Sequence, residues 1–379
     1  MNMTLTFYSN YLNHHQVLIA DELYSLLGDK FHFVATLPRN EKELKGGQDY
    51  SDRSYCVLAG ESNENRNRAM TYARESDVCV FGACSIEYTI ERVKQKECGL
   101  SFEMGERWLK RGIINIFSPN LIRWWLNYIR YFHKKPFYKL CSSSYASADD
   151  CLLGAYRGRH YKWGYFTAVP KDIEVNAANT SNTKTHIMWC SRFLKLKHPE
   201  LPVRMASILK AKGYEFQLDM YGTGPEEETT KQLIQQLGVE DVVKMHGARP
   251  NAEILQAMRE HEIFLFTSDR FEGWGAVANE SMANGCAIVA SNAIGSTPYL
   301  VKDGVNGFAF ESENVKSLTS KVEWLLNHPE ERYKMQCEAH RTMTEFWSPK
   351  KAATALLTLI DCLQDKKETI INDGPCSKA

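Results

Sequence analysis

The sequence predicts an α/β chain folded as two doubly wound parallel-sheet domains, and three observations predict it. The chain has 379 residues, 44% of them hydrophobic, which exceeds one ordinary core and suits two domains of common size. Short β-rich runs alternate with amphipathic helical stretches throughout, the pattern that lays helices over both faces of a parallel sheet. That alternation breaks at residues 171–184, a polar stretch rich in Asn, Thr and Ala without periodicity, as an interdomain linker should be. A first domain over 1–170 and a second over 185–347 follow.

Taken in order, the strands expected in the first domain are residues 4–9, 31–36, 55–59, 78–83, 113–118 and 138–142, each a short run of apolar, aromatic and β-branched residues. In the second domain they are 186–191, 216–221, 242–246, 263–267 and 287–291, each followed by a helical pattern. Ser348-Pro349 places an N-cap residue before a proline at the first helical position and opens a last helix within 348–365. Residues 366–379 are expected to be a disordered tail.

Composition narrows the function classes. Lys+Arg and Asp+Glu both number 46, so no global positive field recruits nucleic acid. The N-terminus has no basic region, apolar core and small-residue cleavage site in series. The 11 cysteines are scattered, without a CxxC pair or metal-ligand spacing, and read as buried thiols of a reducing compartment. No apolar run approaches the ~20 residues that span a bilayer. A cytoplasmic protein, at most peripheral to a membrane, is the expectation.

Ligands of open parallel sheets bind at the carboxyl ends of the strands. In the second domain those ends carry Arg192 and Lys197, then Gly222-Thr223-Gly224-Pro225, Gly247-Ala248-Arg249-Pro250, Glu272-Gly273-Trp274-Gly275 with Glu280 on the next helix, and Asn292 through Pro298. Five consecutive strand ends thus gather glycines, cations or carboxylates on one rim. Arg192 and Lys197 supply positive charge where a diphosphate would lie and where a departing one needs neutralising. Gly273 and Gly275 let backbone approach a ligand. Glu272 and Glu280, eight residues apart, point to a similar side at different depths, and suit two hydroxyl-bearing parts of one extended ligand better than one scissile bond.

These residues resemble the retaining glycosyltransferases of the GT-B fold, specifically family four, the group 1 enzymes. The resemblance rests on Glu272-x7-Glu280, the small-residue helix closed by Gly285, the strand Cys286-Ala-Ile-Val-Ala-Ser291, Arg192-x4-Lys197, Gly222-Thr-Gly-Pro and Asp303-Gly-Val-Asn-Gly307. It is specific over 186–310 and weak over the first half. It implies two Rossmann-like domains facing across a cleft, with the donor on the second, the acceptor on the first, and the last helix crossing back to the first. By the same resemblance Arg192 and Lys197 hold the donor diphosphate, Glu272 the donor sugar and Glu280 the ribose. Ala248 and Arg249 lie by the base, and Gly222, Gly224, Gly273, Trp274 and Gly275 complete the donor site. The donor is a nucleotide sugar, with UDP expected. Transfer retains anomeric configuration without a metal or other cofactor, and the absence of an Asp-x-Asp motif agrees. The bacterial capsule, lipopolysaccharide and exopolysaccharide enzymes are the nearest in type, with a saccharide or lipid-linked saccharide as acceptor.

Departures lie in the first domain. Asn10-Tyr11-Leu12-Asn13-His14-His15 follows the first strand where many relatives have a Gly-Gly turn. Asn13, His14 and His15 either meet phosphate or acceptor, or only cap a helix. Gly82-Ala83-Cys84-Ser85 stands where the family has a histidine. Residues 107–139 hold eight Lys/Arg, no Asp/Glu and nine aromatics, either a surface for anionic lipid at the inner face of a plasma membrane or a core-facing aromatic stripe with a solvated basic face. A nucleotide-sugar epimerase of the same fold and a non-catalytic nucleotide-sugar-binding protein remain the alternatives.

Overall fold

The computed structural model describes residues 3–38, 50–170, 173 and 184–379. These form two compact units, Met1–Thr167 with Pro349–Ala379, and Ala168–Ser348. The expected linker 171–184 lies almost wholly outside the described residues.

The first unit contains β1 Leu5–Ser9, β2 Phe31–Ala35, β3 Cys56–Leu58, β4 Val78–Phe81, β5 Leu100–Gly105, β6 Phe137–Cys141 and β7 His160–Lys162. They pair in parallel in the order β3-β2-β1-β4-β5-β6-β7. The second contains β8 Thr185–Cys190, β9 Phe216–Tyr221, β10 Val243–Gly247, β11 Ile263–Phe266, β12 Ala287–Ser291 and β13 Gly307–Phe310. All pair in parallel in the order β10-β9-β8-β11-β12-β13. Both sheets run outward from a central strand and then reverse, between β1 and β4 and between β8 and β11. Helices cover both faces, so central strands such as Leu5–Ser9 and Ala287–Ser291 are buried at every position and read as continuous rather than alternating apolar runs. One continuous core in the second unit joins Trp189, Leu218, Leu265 and Val289 to the helices Glu200–Ala211 and Val315–Asn327.

Two expectations need correction. Residues 113–118 are not a strand; Ile113–Phe117 is a 3-10 turn with Ile113, Ile114 and Phe117 exposed. The slot between β4 and β6 belongs to Leu100–Gly105, whose charged Glu103 disguises it. In the parallel register Glu103 lies beside Lys139 of β6, and the Lys139 ammonium donates to its carboxylate at 2.6 Å. The last residues are not a disordered tail. Cys376 is fully buried, its amide donates to the Lys162 carbonyl at 2.7 Å, and Lys378 bridges Tyr161, so the terminus closes the open edge of β7. The helix Pro349–Gln364 packs on the helix Val17–Leu27 of the first unit.

Candidate functional site

In a sheet of this order the crevice forms where the strand sequence reverses, at the carboxyl ends of the two strands flanking the reversal. In the second unit these are β8 and β11, and the loops that follow them are stitched together. The Trp189 indole donates to the Thr267 hydroxyl at 2.8 Å, that hydroxyl donates to the Lys197 carbonyl at 2.7 Å, and the Asp269 amide donates to the Leu196 carbonyl at 3.0 Å. The stitching brings Lys197 onto Glu272, and the two form a short ion pair with little exposure. The Ser268 hydroxyl donates to the same carboxylate oxygen at 3.1 Å. A cation assigned to diphosphate and a carboxylate assigned to sugar are therefore adjacent, each restricting the other's rotamers. His198, next in chain, adopts a left-handed backbone at φ 49° and bonds Glu200 at 2.8 Å. That bond, with the neighbouring Asp269, holds its imidazole pKa up. His198 and Asp269 carried no motif signal; only the left-handed turn brings them here.

Arg192 is exposed, with no ion pair among the described residues. Gly222 and Gly224 follow β9 and pack directly on the Ser191–Phe193 backbone: at φ 124° a β-carbon on Gly222 would collide with the Ser191 carbonyl. The Phe193 amide donates to the Thr223 carbonyl at 2.9 Å, and the Gly222 amide to the Gly247 carbonyl at 2.8 Å. These glycines thus have a structural task, letting three adjacent loops interlock. Ala248 and Arg249 are exposed beyond β10.

Gly273 is buried, and Gly275, at φ 78°, lies against the Phe266 ring where a β-carbon would not fit. Trp274, placed in the donor site by the resemblance, is fully buried. Its indole donates to Asn279 at 2.8 Å, its carbonyl accepts from Ser296 at 2.6 Å, and its ring lies against Trp347 and Tyr299. With its ring buried, it anchors the loop that presents Glu272. Glu280 sits on the helix Val277–Ala283, and its carboxylate makes no hydrogen bond or ion pair among the described residues. Burial pushes its pKa up to about 7. Burial and then the nearby Glu280 carboxylate raise the Cys190 thiol to about 12, which puts Glu280 beside the last residue of β8.

In the first unit Asn13 shapes the entry to the first helix: its carbonyl accepts the Gln16 and Val17 amides at 2.9 Å, and its side chain accepts the His15 amide at 3.0 Å. His15 stacks on Tyr165, while His14 is exposed and its pKa is lowered by partial burial. The same unit holds a cavity of about 560 Å³ beyond the ends of β4, β5 and β6, lined by Gly82, Cys84, Glu103, Arg107, Lys139 and Tyr165 among others. The Glu103 carboxylate accepts from Lys139, Trp124 (2.9 Å) and Tyr156 (2.7 Å). Burial alone would raise its pKa, but Lys139 and these donors hold it low. Sequence reasoning missed this cavity because residues 100–106 were not read as a strand.

The stretch 107–139 divides in two. Trp124, Tyr128, Phe132 and Phe137 are core, Lys139 is spent on Glu103, and Arg107 pairs with Asp149 at 3.0 Å. Facing out are Ile113, Phe117, Ile122, Leu126 and Ile129, with Phe117 74% exposed, alongside exposed Arg111, Arg123 and Arg130. Among the described residues no helix is long and apolar enough to cross a membrane. The fold brings His186, Asp219 and His261 together, their ligand atoms within 4.8 Å of one another.

Two parallel α/β units with this strand order define the GT-B architecture. Residues 171–342 match the family model of the glycosyl transferases group 1. The poly(glycerol-phosphate) alpha-glucosyltransferase of Bacillus subtilis (strain 168) is 24% identical over 189 residues, 49% of this chain and 27% of that protein. Anabaena Alr3699/HepE, solved in complex with UDP, superposes with a TM-score of 0.68 at 15% identity, over 96% of this chain and all of that one. A glycosyltransferase from Rickettsia africae ESF-5 superposes with a TM-score of 0.66 at 14% identity, over 97% and 100%. The chain spans less than half the length of the first curated relatives it matches.

Proposed function

We propose that this protein transfers a sugar, with retention, from a nucleotide-sugar donor to a hydroxyl of a saccharide or lipid-linked saccharide in surface polysaccharide synthesis. The observation that carries the reading is the Lys197–Glu272 pair at the sheet reversal, flanked by uncommitted Arg192 and by the desolvated, unpartnered Glu280. Arg192 and Lys197 neutralise the diphosphate as the bond from its oxygen to the sugar anomeric carbon breaks. Glu272 receives sugar hydroxyls, and Glu280 the ribose diol. The acceptor oxygen bonds the anomeric carbon on the face the diphosphate leaves, and its proton passes to the departing phosphate oxygen. With both cations supplied by the chain, the step requires no metal at the diphosphate. The UDP complex of the Anabaena neighbour supports uridine as the base.

The test is a thermal-shift series with UDP, GDP and CMP and their sugars, followed by product analysis with the best donor. A ligand that binds only the folded state raises its stability by mass action, so UDP and one UDP-sugar should give the largest shifts. Glu272→Ala should then abolish transfer. Unchanged transfer by that variant would remove the site assignment, and an epimer formed without acceptor would replace transfer by epimerisation. We assign the exposed apolar and basic face around Ile113–Arg130 to peripheral contact with anionic lipid at the cytoplasmic face of the membrane. Co-sedimentation with phosphatidylglycerol vesicles, weakened by salt and absent with phosphatidylcholine alone, is the expected outcome. Equal recovery in the supernatant with both vesicles overturns it.

A further inference from the structure

Three histidines surround one carboxylate in the second unit, outside the residues assigned to the donor. His186 lies near the start of β8, Asp219 in β9, and His261 at the entry to β11. In the β8–β9 register Met188 lies opposite Asp219, so His186 and Asp219 project from the same face of the sheet, two residues apart along it. Asp219 Oδ2 is 3.2 Å from His261 Nε2 and 3.9 Å from His186 Nδ1, and all three ligand atoms lie within 4.8 Å of one another.

The hydrogen bonding sets the tautomer. His261 Nδ1 is 2.5 Å from the Ala257 carbonyl oxygen. A carbonyl only accepts, so Nδ1 carries the hydrogen, and in the neutral ring Nε2 turns a lone pair toward the carboxylate. Nε2 and Oδ2 then face each other at 3.2 Å between side chains that are 6% and 10% exposed, the separation of two ligand atoms on one tetrahedral ion. The other carboxylate oxygen is engaged, since His246 Nε2 lies 2.6 Å from Asp219 Oδ1 and Tyr221 stacks on the His246 ring. An imidazole with its far nitrogen on a backbone carbonyl, beside a carboxylate oriented by a further donor, is the outer support that metal ligands receive.

We infer that His186, Asp219 and His261 form a binding site for a divalent transition-metal ion, Zn²⁺ foremost, with solvent at the fourth position. Two imidazoles and one carboxylate suit Zn²⁺ and Co²⁺, and disfavour Mg²⁺ and Ca²⁺, which take oxygen ligands. Ligand atoms about 2.0–2.2 Å from a tetrahedral ion stand roughly 3.2–3.6 Å apart, so only His186 has to move. At 39% exposure it is the ligand freest to do so and it marks the way in. The ion ties β8, β9 and the start of β11 together behind His246, one residue before Gly247-Ala248-Arg249. It is remote in role from the diphosphate cations and stands independently of the donor assignment.

The test uses the full chain stripped with chelator and titrated with Zn²⁺ by calorimetry and thermal shift, then with Co²⁺ by absorption. Expected are one ion per chain, a higher Tm, and the visible bands of a four-coordinate Co²⁺ site without thiolate charge-transfer absorption. His186→Ala should keep the metal-free Tm and weaken Zn²⁺ binding at least ~10-fold, the scale on which supporting or ligating groups act. His261→Ala should abolish binding. Absence of stoichiometric binding in the native chain overturns the site. Equal affinity in the native chain and His186→Ala, or thiolate bands with Co²⁺, also overturns it by locating the ion on cysteines.

Discussion

Glu280 is the residue whose chemistry the fold changes most. Its spacing from Glu272 is visible in the chain, but its desolvation and lack of a partner are not. Because its folded pKa rises to about 7 from an ordinary value of 4.5, the folded state holds the extra proton between those values. Stability attributable to Glu280 therefore falls as pH rises through about 4.5–7. Glu280→Gln should remove this slope, so its Tm advantage over the native chain is larger at pH 8 than at pH 5, as calorimetry at both pH values can read. If the ionised carboxylate receives the ribose, UDP affinity of the native chain weakens below pH 7 while the Gln variant shows no such dependence. The variant should also bind about 10–150-fold more weakly at pH 8, the worth of hydrogen bonds to a charged group. Lys197 and Glu272, by contrast, were identifiable as candidate site residues from their positions after strands. Their mutual ion pair was not, since 75 residues separate them.

At the scale of elements, five of the six strands of the second unit were legible because each is a run of apolar residues ending in a glycine or polar loop; β13, opening on Gly307 at the end of a turn, was not. β5 was not, because a strand with a glutamate in its middle and a lysine opposite looks unlike a buried strand in one dimension. The pair makes sense only in two. Lys139→Met leaves Glu103 buried without its counter-ion, a change that costs about 3–5 kcal/mol when one partner of a buried pair is removed. A fall in urea midpoint at unchanged m-value would show it. Lys139→Met combined with Glu103→Leu should recover much of the loss, since replacing both charges is far less costly. An undiminished midpoint in the single variant would mean the Trp124 and Tyr156 hydrogen bonds suffice alone.

At the scale of the whole molecule, Pro349–Ala379 completes the first unit although it follows the second in the chain. Its helix buries Ala352, Ala353, Leu356, Leu357, Leu359 and Ile360. The leucine and isoleucine side chains among these contribute up to about 1.5–3 kcal/mol each on burial, against a typical domain stability of about 5–15 kcal/mol. Truncation before Pro349 should therefore unfold the first unit while the second keeps its cooperative transition. Loss of the lower or higher of two calorimetric transitions, together with rapid proteolysis of residues 3–167, is the expected record. Two transitions at their native temperatures would show the helix to be dispensable. By itself the chain order of strands, helices and strand-end motifs determined the α/β class, two parallel sheets and the glycines and charges gathered at the strand ends of the second unit, because each depends on local periodicity or on residues close in sequence. Tertiary structure decided the rest: which charged strand enters the first sheet, that Trp274 is an anchor, that the terminus seals β7, and that His186, Asp219 and His261 meet. Those depend on pairing between distant segments, where burial and neighbouring charge set a side chain's role.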